Sequence, residues 1–164
     1  MTLLVIPDIH GHKAQLDRVF AIADAHLGPE TPAVFLGDLV DRGPDSFGVI
    51  QTLIDGIAAG RNWTVVRGNH DQLFLEFIEG GDPATPGGLS WLHDRMGGQE
   101  TLASYGATGG NRADIVSNIP ASHVEFLRNL PLYHEKDDLL FVHAGLRPGL
   151  PLDQQDPQDL MWIR

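Results

Sequence analysis

Short apolar runs alternate with segments of helical periodicity through the first half of the chain, and this alternation constrains the fold more than any other feature. The apolar runs occupy residues 2–7, 33–36 and 63–66, and the helical segments occupy residues 12–26, 45–59 and 69–79. Runs that are apolar almost throughout are typical of strands buried on both faces. Strands that alternate with helices predict an α/β fold, in which a central, mostly parallel sheet with right-handed crossovers is flanked by helices.

The second half of the chain is less regular. Glycine-rich loops are predicted at residues 80–88 and 106–111, with short helices between and after them. Apolar residues at 132–134 and 139–142 flank a two-aspartate turn, which predicts a β-hairpin. We find no internal repeat and no interdomain linker, so we expect residues 1–164 to form a single domain.

The overall charge narrows the classes of partner. The 164-residue chain carries a formal net charge of −11, and nucleic acid and anionic membranes both attract basic rather than acidic surfaces. No apolar run approaches the roughly 18 residues of a membrane-spanning helix. The first predicted strand begins at residue 2, which leaves no room for a signal peptide. We therefore expect a cytoplasmic protein with no nucleic-acid or membrane partner.

The sequence contains no cysteine. Disulfides and thiolate-bound metals are therefore excluded, and any metal ion would be held by His, Asp, Glu, Asn or water. These ligands suit Mn, Fe, Zn or Mg.

Polar residues follow four of the predicted strands, at the point where each strand ends. They are Asp8 and His10 after the first strand; Asp38, Asp41 and Arg42 after the second; Arg67, Asn69, His70 and Asp71 after the third; and His143 after the hairpin. Because ligands of an open parallel sheet bind beyond the carboxyl ends of its strands, we expect these side chains to meet. Oxygen and imidazole ligands beside arginine favour metal-assisted chemistry on an oxyanion, most simply phosphate.

Each of these residues alone has an ordinary structural interpretation. Asp38 and Asp41 could cap a helix or form a surface salt bridge. Asn69 could be a helix N-cap, and His143 a hydrogen-bonded core histidine. Asp71 is best interpreted as a carboxylate that stabilises its helix N-terminus. The coincidence of ligands at four strand ends favours a metal site over four unrelated roles.

Other aromatic and histidine residues receive structural interpretations. We expect Trp91 and Tyr105 to pack in the core or at its rim. Tryptophan and tyrosine bury large apolar areas, so packing is the default assignment for them. His123 is interpreted as a surface or structural residue.

The polar clusters form four motifs: "DIHG" at 8–11, "GDLVDRG" at 37–43, "RGNHD" at 67–71 and "HAG" at 143–145. Together they resemble the signature blocks of the calcineurin-like metallophosphoesterases, in that family's order and with similar spacing. Within the superfamily they are most similar to the phosphoprotein phosphatase branch, especially its bacterial and phage members. The resemblance covers most of the chain, with one small departure at Pro7, where the family usually has glycine.

The resemblance implies a metallophosphoesterase-type layered sandwich and a site for two divalent metal ions. Asp8 and His10 would bind the first metal, Asp38 would bridge both metals, and Asn69 and His143 would bind the second. Manganese is the expected metal, with iron or zinc as alternatives. In such a site, a metal-bridging hydroxide attacks phosphorus in line with the leaving oxygen.

The resemblance also implies roles for a histidine, an aspartate and three arginines. His70 would be the general acid for the leaving oxygen, and Asp41 would orient it. Arg42 and Arg67 would bind phosphate oxygens as part of the catalytic machinery, because a guanidinium fork matches these oxygens and stays charged. Arg164, in the terminal "WIR", resembles a third phosphate-binding arginine of the family.

One block of the family is not found in the sequence. The family carries a Gly-His-Thr-type segment downstream of "HAG", whose histidine completes the second metal site, and further strands that extend its sheet. Neither follows Arg164, so we expect the chain to lack the C-terminal part of the family fold. We therefore expect the first metal to bind more tightly than the second, and an exposed sheet edge to favour self-association.

These features lead to one main functional hypothesis and two alternatives. The main hypothesis is a metal-dependent phosphomonoesterase, a serine/threonine protein phosphatase that acts on a phosphorylated protein or a small phosphoester. "VDRG" with its Asp41 favours this branch. The first alternative is a nucleotide hydrolase of the diadenosine-tetraphosphate type, from the same superfamily. The second is a catalytically impaired scaffold or binding protein, which the absent final ligand favours and the predicted acid and arginines disfavour.

Overall fold

The computed structural model describes residues 2–107 and 109–163. Its strands are β1 (Leu4–Ile6), β2 (Ala33–Phe35), β3 (Trp63–Val65), β4 (Tyr133–Lys136) and β5 (Leu139–Val142). Its helices are α1 (Lys13–Leu27), α2 (Ser46–Ala58), α3 (Asn69–Ile78), α4 (Gly98–Ser104), α5 (Arg112–Ser117), α6 (Ala121–Asn129) and α7 (Pro157–Trp162), with a 3₁₀ turn at Leu152–Gln154. Within these ranges, no helix has the length and apolarity that crossing a membrane would require.

β1, β2 and β3 form one parallel sheet with β2 in the middle. Val34 of β2 pairs with Val5 on one side and with Thr64 on the other. All three residues of β2 are buried, as expected for a strand that is covered on both faces. The predicted α/β architecture, a parallel sheet flanked by helices, is therefore confirmed.

The core joins this sheet to the helices of both halves of the chain. Phe35 of β2 is fully buried and packs edge-on against Phe20 of α1, with ring centroids 6.1 Å apart. Ile50 and Leu53 of α2 are fully buried in the same apolar cluster. Helices α4 and α6 pack against α2, and α6 also packs against α3. The irregular second half thus completes the core that the first half begins.

β4 and β5 form an antiparallel hairpin, as predicted. Phe141 of β5 is buried, and its ring lies against that of His134 in β4. β5 leads directly into His143, whose Nδ1 lies 2.7 Å from the carbonyl oxygen of Leu36 at the end of β2. The hairpin therefore delivers His143 to the carboxyl end of the parallel sheet, where the sequence predicts the site.

β1 forms an edge of the parallel sheet, since among the described strands it pairs only with β2. Val5 on this strand and Ile22 on the neighbouring helix are exposed by 43% and 60%. Ile6, Leu16 and Val19 line an apolar cleft of about 450 Å³ between β1 and α1. Such an edge can template association, and self-association through it stays a prediction.

Candidate metal and phosphate site

The loops that follow β1, β2 and β3 meet at one end of the parallel sheet. The backbone N–H groups of Ile9 and His10 both donate to the carbonyl oxygen of Asp38, at 3.0 and 2.8 Å. The backbone N–H of Leu39 donates to a carboxylate oxygen of Asp71 at 2.8 Å. Direct hydrogen bonds therefore fix the first loop to the second and the second loop to the third.

Gly37 and Gly68 allow the second and third loops to touch backbone to backbone. A Cβ atom at Gly37 would overlap the backbone nitrogen of Gly68, and a Cβ atom at Gly68 would overlap Asp38. Gly37 also has a φ of +91°, in a region that L side chains rarely adopt. The short distance between the two loops therefore requires glycine at both positions.

Several residues of the site that carry side chains have a left-handed backbone. His10, Asp38, Asp41 and Arg42 have φ angles of 47°, 51°, 75° and 66°. Among the described residues, the other non-glycine residue with positive φ is Asp137, in the turn between β4 and β5. Each such conformation costs roughly 1 kcal/mol or more and persists only where the surrounding structure enforces it. Concentration of this strain at the strand ends is typical of a functional site.

The predicted metal ligands come together around Asp38. The Nε2 atoms of His10 and His143 each lie 3.6 Å from Oδ2 of Asp38. Oδ2 of Asp8 lies 3.8 Å from Nε2 of His10, and Oδ1 of Asn69 lies 2.9 Å from Nε2 of His143. Asp38 thus lies between the ligands predicted for the first metal and those predicted for the second, as a bridging carboxylate must.

The unpartnered ring nitrogen of His10 shows that this cluster fits a metal ion. Nδ1 of His10 lies 2.8 Å from the carbonyl oxygen of Val40 and donates to it, so Nε2 of the neutral ring carries a lone pair. That Nε2 atom is buried and has no hydrogen-bond partner. Burial lowers the pKa of His10, although the bond to Val40 and the charge of Asp38 oppose this change. The ring is therefore kept neutral, the form that coordinates metal.

His143 and Asn69 present a second arrangement that suits a cation. Nδ1 of His143 donates to the carbonyl oxygen of Leu36, so in the neutral ring Nε2 carries a lone pair. That lone pair faces Oδ1 of Asn69 at 2.9 Å, and both atoms are acceptors. Two acceptor atoms at this distance repel each other unless one cation binds both, as a metal ion binds its ligands.

Two triplets of ligand atoms, each within 4.8 Å of one another, could hold an ion: His10, Asp38 and His70; and Asp8, Asp38 and His143. Asp38 belongs to both triplets, in agreement with a bridging role. The side chain of Asp8 is 51% exposed, whereas that of Asp38 is 4% exposed. The cluster is therefore buried at its centre and open to solvent on the side of Asp8.

His70 forms a buried pair with Asp41. Nδ1 of His70 donates to Oδ2 of Asp41 at 2.6 Å, and Asp41 is completely buried. Burial by itself would lower the pKa of His70, but the hydrogen bond to Asp41 and the negative charge of Asp38 outweigh it and raise the pKa. A histidine that keeps its proton near neutral pH can serve as a general acid.

Arg42 is the predicted arginine that the structure brings to this pair. Its Nη2 lies 3.1 Å from Nε2 of His70, and its guanidinium belongs to an exposed residue that can turn toward an anion. An Nε2 atom that accepts a hydrogen bond from Arg42 carries no proton. His70 can therefore donate from Nε2 only when Arg42 turns away, as it would to bind a phosphate oxygen.

Arg67 has different partners. Its Nη1 donates to Gln72 at 2.9 Å, and its Nη2 donates to the carbonyl oxygens of Leu127 and Arg128 at 3.0 and 2.7 Å. Those carbonyls lie in the last turn of α6, so the guanidinium caps this helix instead of joining the Asp38 cluster. Phosphate binding by Arg67 stays a prediction, and Arg164 lies outside the described residues.

Asp71 joins the second and third loops. One of its carboxylate oxygens accepts from the backbone N–H of Leu39 at 2.8 Å, and the other accepts from that of Gly68 at 2.9 Å. Burial and the nearby charge of Asp38 raise the pKa of Asp71 to about 7, against the effect of the two N–H donors. Its predicted role at the N-terminus of α3 is confirmed, because Gly68 is the N-cap of that helix.

Trp91 and Thr101 contact Asp41, which sequence reasoning missed. Nε1 of Trp91 donates to Oδ2 of Asp41 at 2.8 Å, and the hydroxyl of Thr101 donates to Oδ1 at 2.7 Å. The packing role predicted for Trp91 is confirmed, since the side chain is fully buried. A buried indole N–H usually needs an acceptor, and this was the one available indication; no feature of the sequence points to Thr101.

Comparison with known families identifies the class of protein. The family described as calcineurin-like phosphoesterase matches residues 1–164. This match covers the strand-end motifs, the ligand cluster around Asp38 and the His70–Asp41 pair, and the chain belongs to this family. The family uses a dinuclear metal centre, with which the two triplets around Asp38 agree.

Curated relatives carry a more specific name. A symmetrical bis(5′-nucleosyl)-tetraphosphatase from Janthinobacterium sp. (strain Marseille) is 32% identical over 153 residues, which cover 90% of this chain and 45% of the relative. One from Burkholderia thailandensis is 33% identical over 143 residues, which cover 86% of this chain and 41% of the relative. The chain therefore spans less than half the length of these relatives.

Solved structures agree with the fold. A crystal structure assigned as a diadenosine tetraphosphatase matches with a TM-score of 0.65 at 26% identity, over 97% of this chain and 57% of that chain. A metallophosphoesterase from Sphaerobacter thermophilus matches with a TM-score of 0.51 at 22% identity, over 88% of this chain and 46% of that chain. The names of the relatives favour the nucleotide-hydrolase alternative, and none of them specifically supports a protein phosphatase.

Proposed function

We propose that this chain carries the catalytic centre of a metal-dependent phosphohydrolase that acts on nucleoside polyphosphates, with dinucleoside tetraphosphates as the leading substrate class. The observation that carries the chemistry is the direct contact between a metal ligand and the proposed acid. The rings of His10 and His70 meet edge to face, with centroids 4.8 Å apart. A phosphorus atom beside the ligand cluster would therefore have its leaving oxygen within reach of His70.

Support for the substrate class comes from the relatives described above, which are named symmetrical bis(5′-nucleosyl)-tetraphosphatases. The charge of the chain adds a physical requirement. A polyphosphate is strongly anionic and the protein has a formal net charge of −11, so local positive charge must offset the repulsion. Arg42 and the cations held around Asp38 would supply it.

The ligands of the metal centre would be Asp8, His10, Asp38, Asn69 and His143. Divalent cations at such a site neutralise phosphate charge and lower the pKa of a coordinated water. The protein itself contributes position and a proton. Arg42 binds a phosphate oxygen, and that movement clears Nε2 of His70. Asp41 holds the ring through Nδ1 and stabilises its protonated form.

The proposed reaction is a hydrolysis. The oxygen of water forms a bond to phosphorus and releases one proton to solvent. The bond from phosphorus to the leaving oxygen breaks, and its electron pair goes to that oxygen. His70 then gives its Nε2 proton to the leaving oxygen, so the products are two phosphate-bearing fragments. For a symmetrical cleavage of a dinucleoside tetraphosphate, both products are nucleoside diphosphates.

A substrate panel tests this proposal. The metal-stripped chain is given diadenosine tetraphosphate, a phosphoserine peptide or p-nitrophenyl phosphate, with and without manganese, and products are separated by ion-exchange chromatography. We expect manganese-dependent formation of ADP, faster than phosphate release from the peptide. Preference for the peptide would restore the protein-phosphatase hypothesis. Absence of turnover with all three substrates would overturn the proposal and favour the scaffold alternative.

The control variants separate loss of a ligand from loss of a charge. Asp38→Asn is preferable to alanine because asparagine tolerates the left-handed backbone at this position, where φ is 51°. We expect Asp38→Asn to lower turnover by about 100-fold or more, because even residues that only support a metal ligand typically contribute about 10- to 100-fold. Asp17→Asn makes the same chemical change on the exposed face of α1 and should leave turnover unchanged.

A further inference from the structure

One segment of the chain, residues 91–101, holds the Asp41 carboxylate from two sides. Trp91 donates from Nε1 to Oδ2 at 2.8 Å, and Thr101 donates from its hydroxyl to Oδ1 at 2.7 Å. Between them, the carbonyl oxygen of Gly97 accepts from the backbone N–H of Arg42 at 3.2 Å. The segment therefore contacts both Asp41, the partner of His70, and Arg42, whose guanidinium is proposed to bind phosphate.

These two donors fix an orientation that the side chain of Asp41 would not adopt unaided. The terminal torsion of an aspartate is broad, so its two oxygens exchange places readily unless each has its own partner. Among the described residues, Asp41 forms an ion pair with His70 only. Trp91 and Thr101 supply the remaining hydrogen bonds, and they assign Oδ2 to His70 and Oδ1 to Thr101.

The direction of the Thr101 hydroxyl is set by its surroundings. Its oxygen accepts from the backbone N–H of Asp41 at 2.8 Å and lies 3.1 Å from the hydroxyl of Ser46. Ser46 also lies 3.2 Å from the same N–H group. With its acceptor side occupied by the backbone of Asp41, the hydroxyl hydrogen of Thr101 points to Oδ1. The carboxylate is thereby held against its own backbone.

The role of Trp91 in this network is separable from its role in packing. Its ring stacks on Phe74 and lies against Phe77, with centroids 5.6 and 5.1 Å apart. The indole N–H is the single polar group of the side chain, and it donates to Asp41. A phenylalanine at this position keeps an aromatic ring against these neighbours, removes the donor and leaves part of the indole volume unfilled.

We propose that Trp91 and Thr101 are positioning residues, which hold Oδ2 of Asp41 toward Nδ1 of His70 so that Nε2 faces the leaving oxygen. They touch no substrate and act through Asp41. The assignment rests on the proposed function, because it concerns the acid of that reaction. Its effect should therefore appear in the transfer of the proton rather than in folding or in substrate binding.

The first test uses the metal-free protein and needs no turnover. A hydrogen bond from Nδ1 of His70 to a buried carboxylate should give a downfield proton resonance that is protected from exchange with water. We expect this resonance in the parent chain, its loss in Asp41→Asn, and its broadening or loss in Trp91→Phe and Thr101→Val. Thr101→Ser keeps the hydroxyl and should keep the resonance. An unchanged resonance in both Trp91→Phe and Thr101→Val would overturn the proposal.

The second test uses the dependence of rate on the leaving group. Phenyl phosphate needs a proton for its departing oxygen, whereas 2,4-dinitrophenyl phosphate needs little help. We expect Trp91→Phe and Thr101→Val to lower kcat on phenyl phosphate about tenfold, the smaller end of losses for supporting residues. On 2,4-dinitrophenyl phosphate, the two substitutions should lower kcat far less. With either substrate, the KM of each variant should be similar to that of the parent chain. Equal losses on the two substrates would show a merely structural role and overturn the proposal.

His70→Asn separates failure of this inference from failure of the proposed function. If His70→Asn lowers turnover of phenyl phosphate selectively and the Trp91 and Thr101 variants do not, the acid stands and the positioning role is wrong. If His70→Asn shows no selectivity, the acid assignment in the proposed function is wrong. The positioning of His70 by the two residues is then decided by the proton resonance alone.

Discussion

Two buried histidines of this molecule, His70 and His123, have pKa values that are shifted in opposite directions. Nδ1 of His123 accepts from the hydroxyl of Tyr105 at 2.8 Å, and its Nε2 donates to Gln51 at 3.0 Å. Burial lowers the pKa of His123, and the charge of Asp55 only partly opposes this change. The neutral ring is thus fully satisfied by neutral partners.

His70 is buried to a similar degree but directly contacts a carboxylate. Burial lowers the pKa of His70 too, yet the hydrogen bond to Asp41 reverses the direction of the shift. The difference between the two sites is one charged partner at hydrogen-bond distance. At His123, burial among neutral partners favours the neutral ring, whereas at His70 the hydrogen bond to a carboxylate favours the protonated ring.

The largest effect on this comparison should come from Asp41→Asn, which makes the partner of His70 neutral, like those of His123. Asparagine keeps the left-handed backbone at this position, where φ is 75°. We expect kcat for phenyl phosphate to fall by about 100-fold or more, since general acid catalysis contributes that much. Steady-state kinetics with manganese checks this, with the exposed Asp94→Asn as the matched control. A fall similar to that of Asp94→Asn would remove Asp41 from the mechanism.

The next effect concerns the dependence of the two regions on metal. Manganese at about 100 times its Kd should stabilise the folded chain by about 2.7 kcal/mol, because a ligand that binds only the folded state shifts the equilibrium by mass action. Asp38→Asn should lose most of this stabilisation, whereas His123→Gln should retain it. Urea unfolding with and without manganese measures both. Equal stabilisation of the Asp38→Asn chain would show that manganese binds elsewhere.

A smaller effect should follow from giving His123 the kind of partner that His70 has. Gln51→Glu places a carboxylate at Nε2 of His123. Because the Asp55 carboxylate accepts a hydrogen bond from Gln51 and would repel the new glutamate, the same chain also carries Asp55→Asn. We expect the pKa of His123 to rise from below its ordinary value, because a charged acceptor favours the imidazolium. NMR titration of the ring protons measures the change against Asp55→Asn alone. A pKa that stays depressed would show that burial outweighs a carboxylate at this site.

The smallest effect is on the pH dependence of stability. The pKa of folded His123 is lower than its ordinary value of 6.5, so the unfolded chain binds this proton more readily. The contribution of His123 to the free energy of unfolding is therefore complete above pH 6.5. It decreases as the pH falls from 6.5 toward the pKa of the folded state. We expect His123→Gln to lose less unfolding free energy than the parent between about pH 8 and about pH 5.5. Urea unfolding at both pH values tests this. An equal loss of unfolding free energy in His123→Gln and the parent chain would contradict it.

The parts of the molecule that sequence predicted correctly depend on local patterns. The parallel sheet follows from apolar runs and helical periodicity, each contained within about 15 residues. The hairpin follows from two apolar runs around Asp137, a residue with a left-handed φ of 53°. The convergence of Asp8 and Asp38 follows because the carboxyl ends of parallel strands share one edge. His143 reaches the same edge from the antiparallel hairpin, through a hydrogen bond from its ring to the carbonyl oxygen of Leu36.

The parts that sequence could not supply depend on partners distant in the chain. Arg67 donates to carbonyls 60 and 61 residues away, and no local pattern encodes that contact. Thr101 likewise reaches Asp41 across 60 residues. The substrate class has a different reason. The quoted motifs encode ligands and phosphate chemistry, which protein phosphatases and nucleotide hydrolases of this superfamily share, so they do not distinguish the two.

The backbone contact between Gly37 and Gly68 constrains the geometry of the candidate metal site. No side chain lies between the two loops at this point, and a Cβ atom at either glycine would overlap the backbone of the other loop. The spacing of Asp38 and Asn69 is therefore set by the contact distance of two backbones. Alanine at either glycine would replace no predicted metal ligand, but its methyl group would push the loops that carry Asp38 and Asn69 apart.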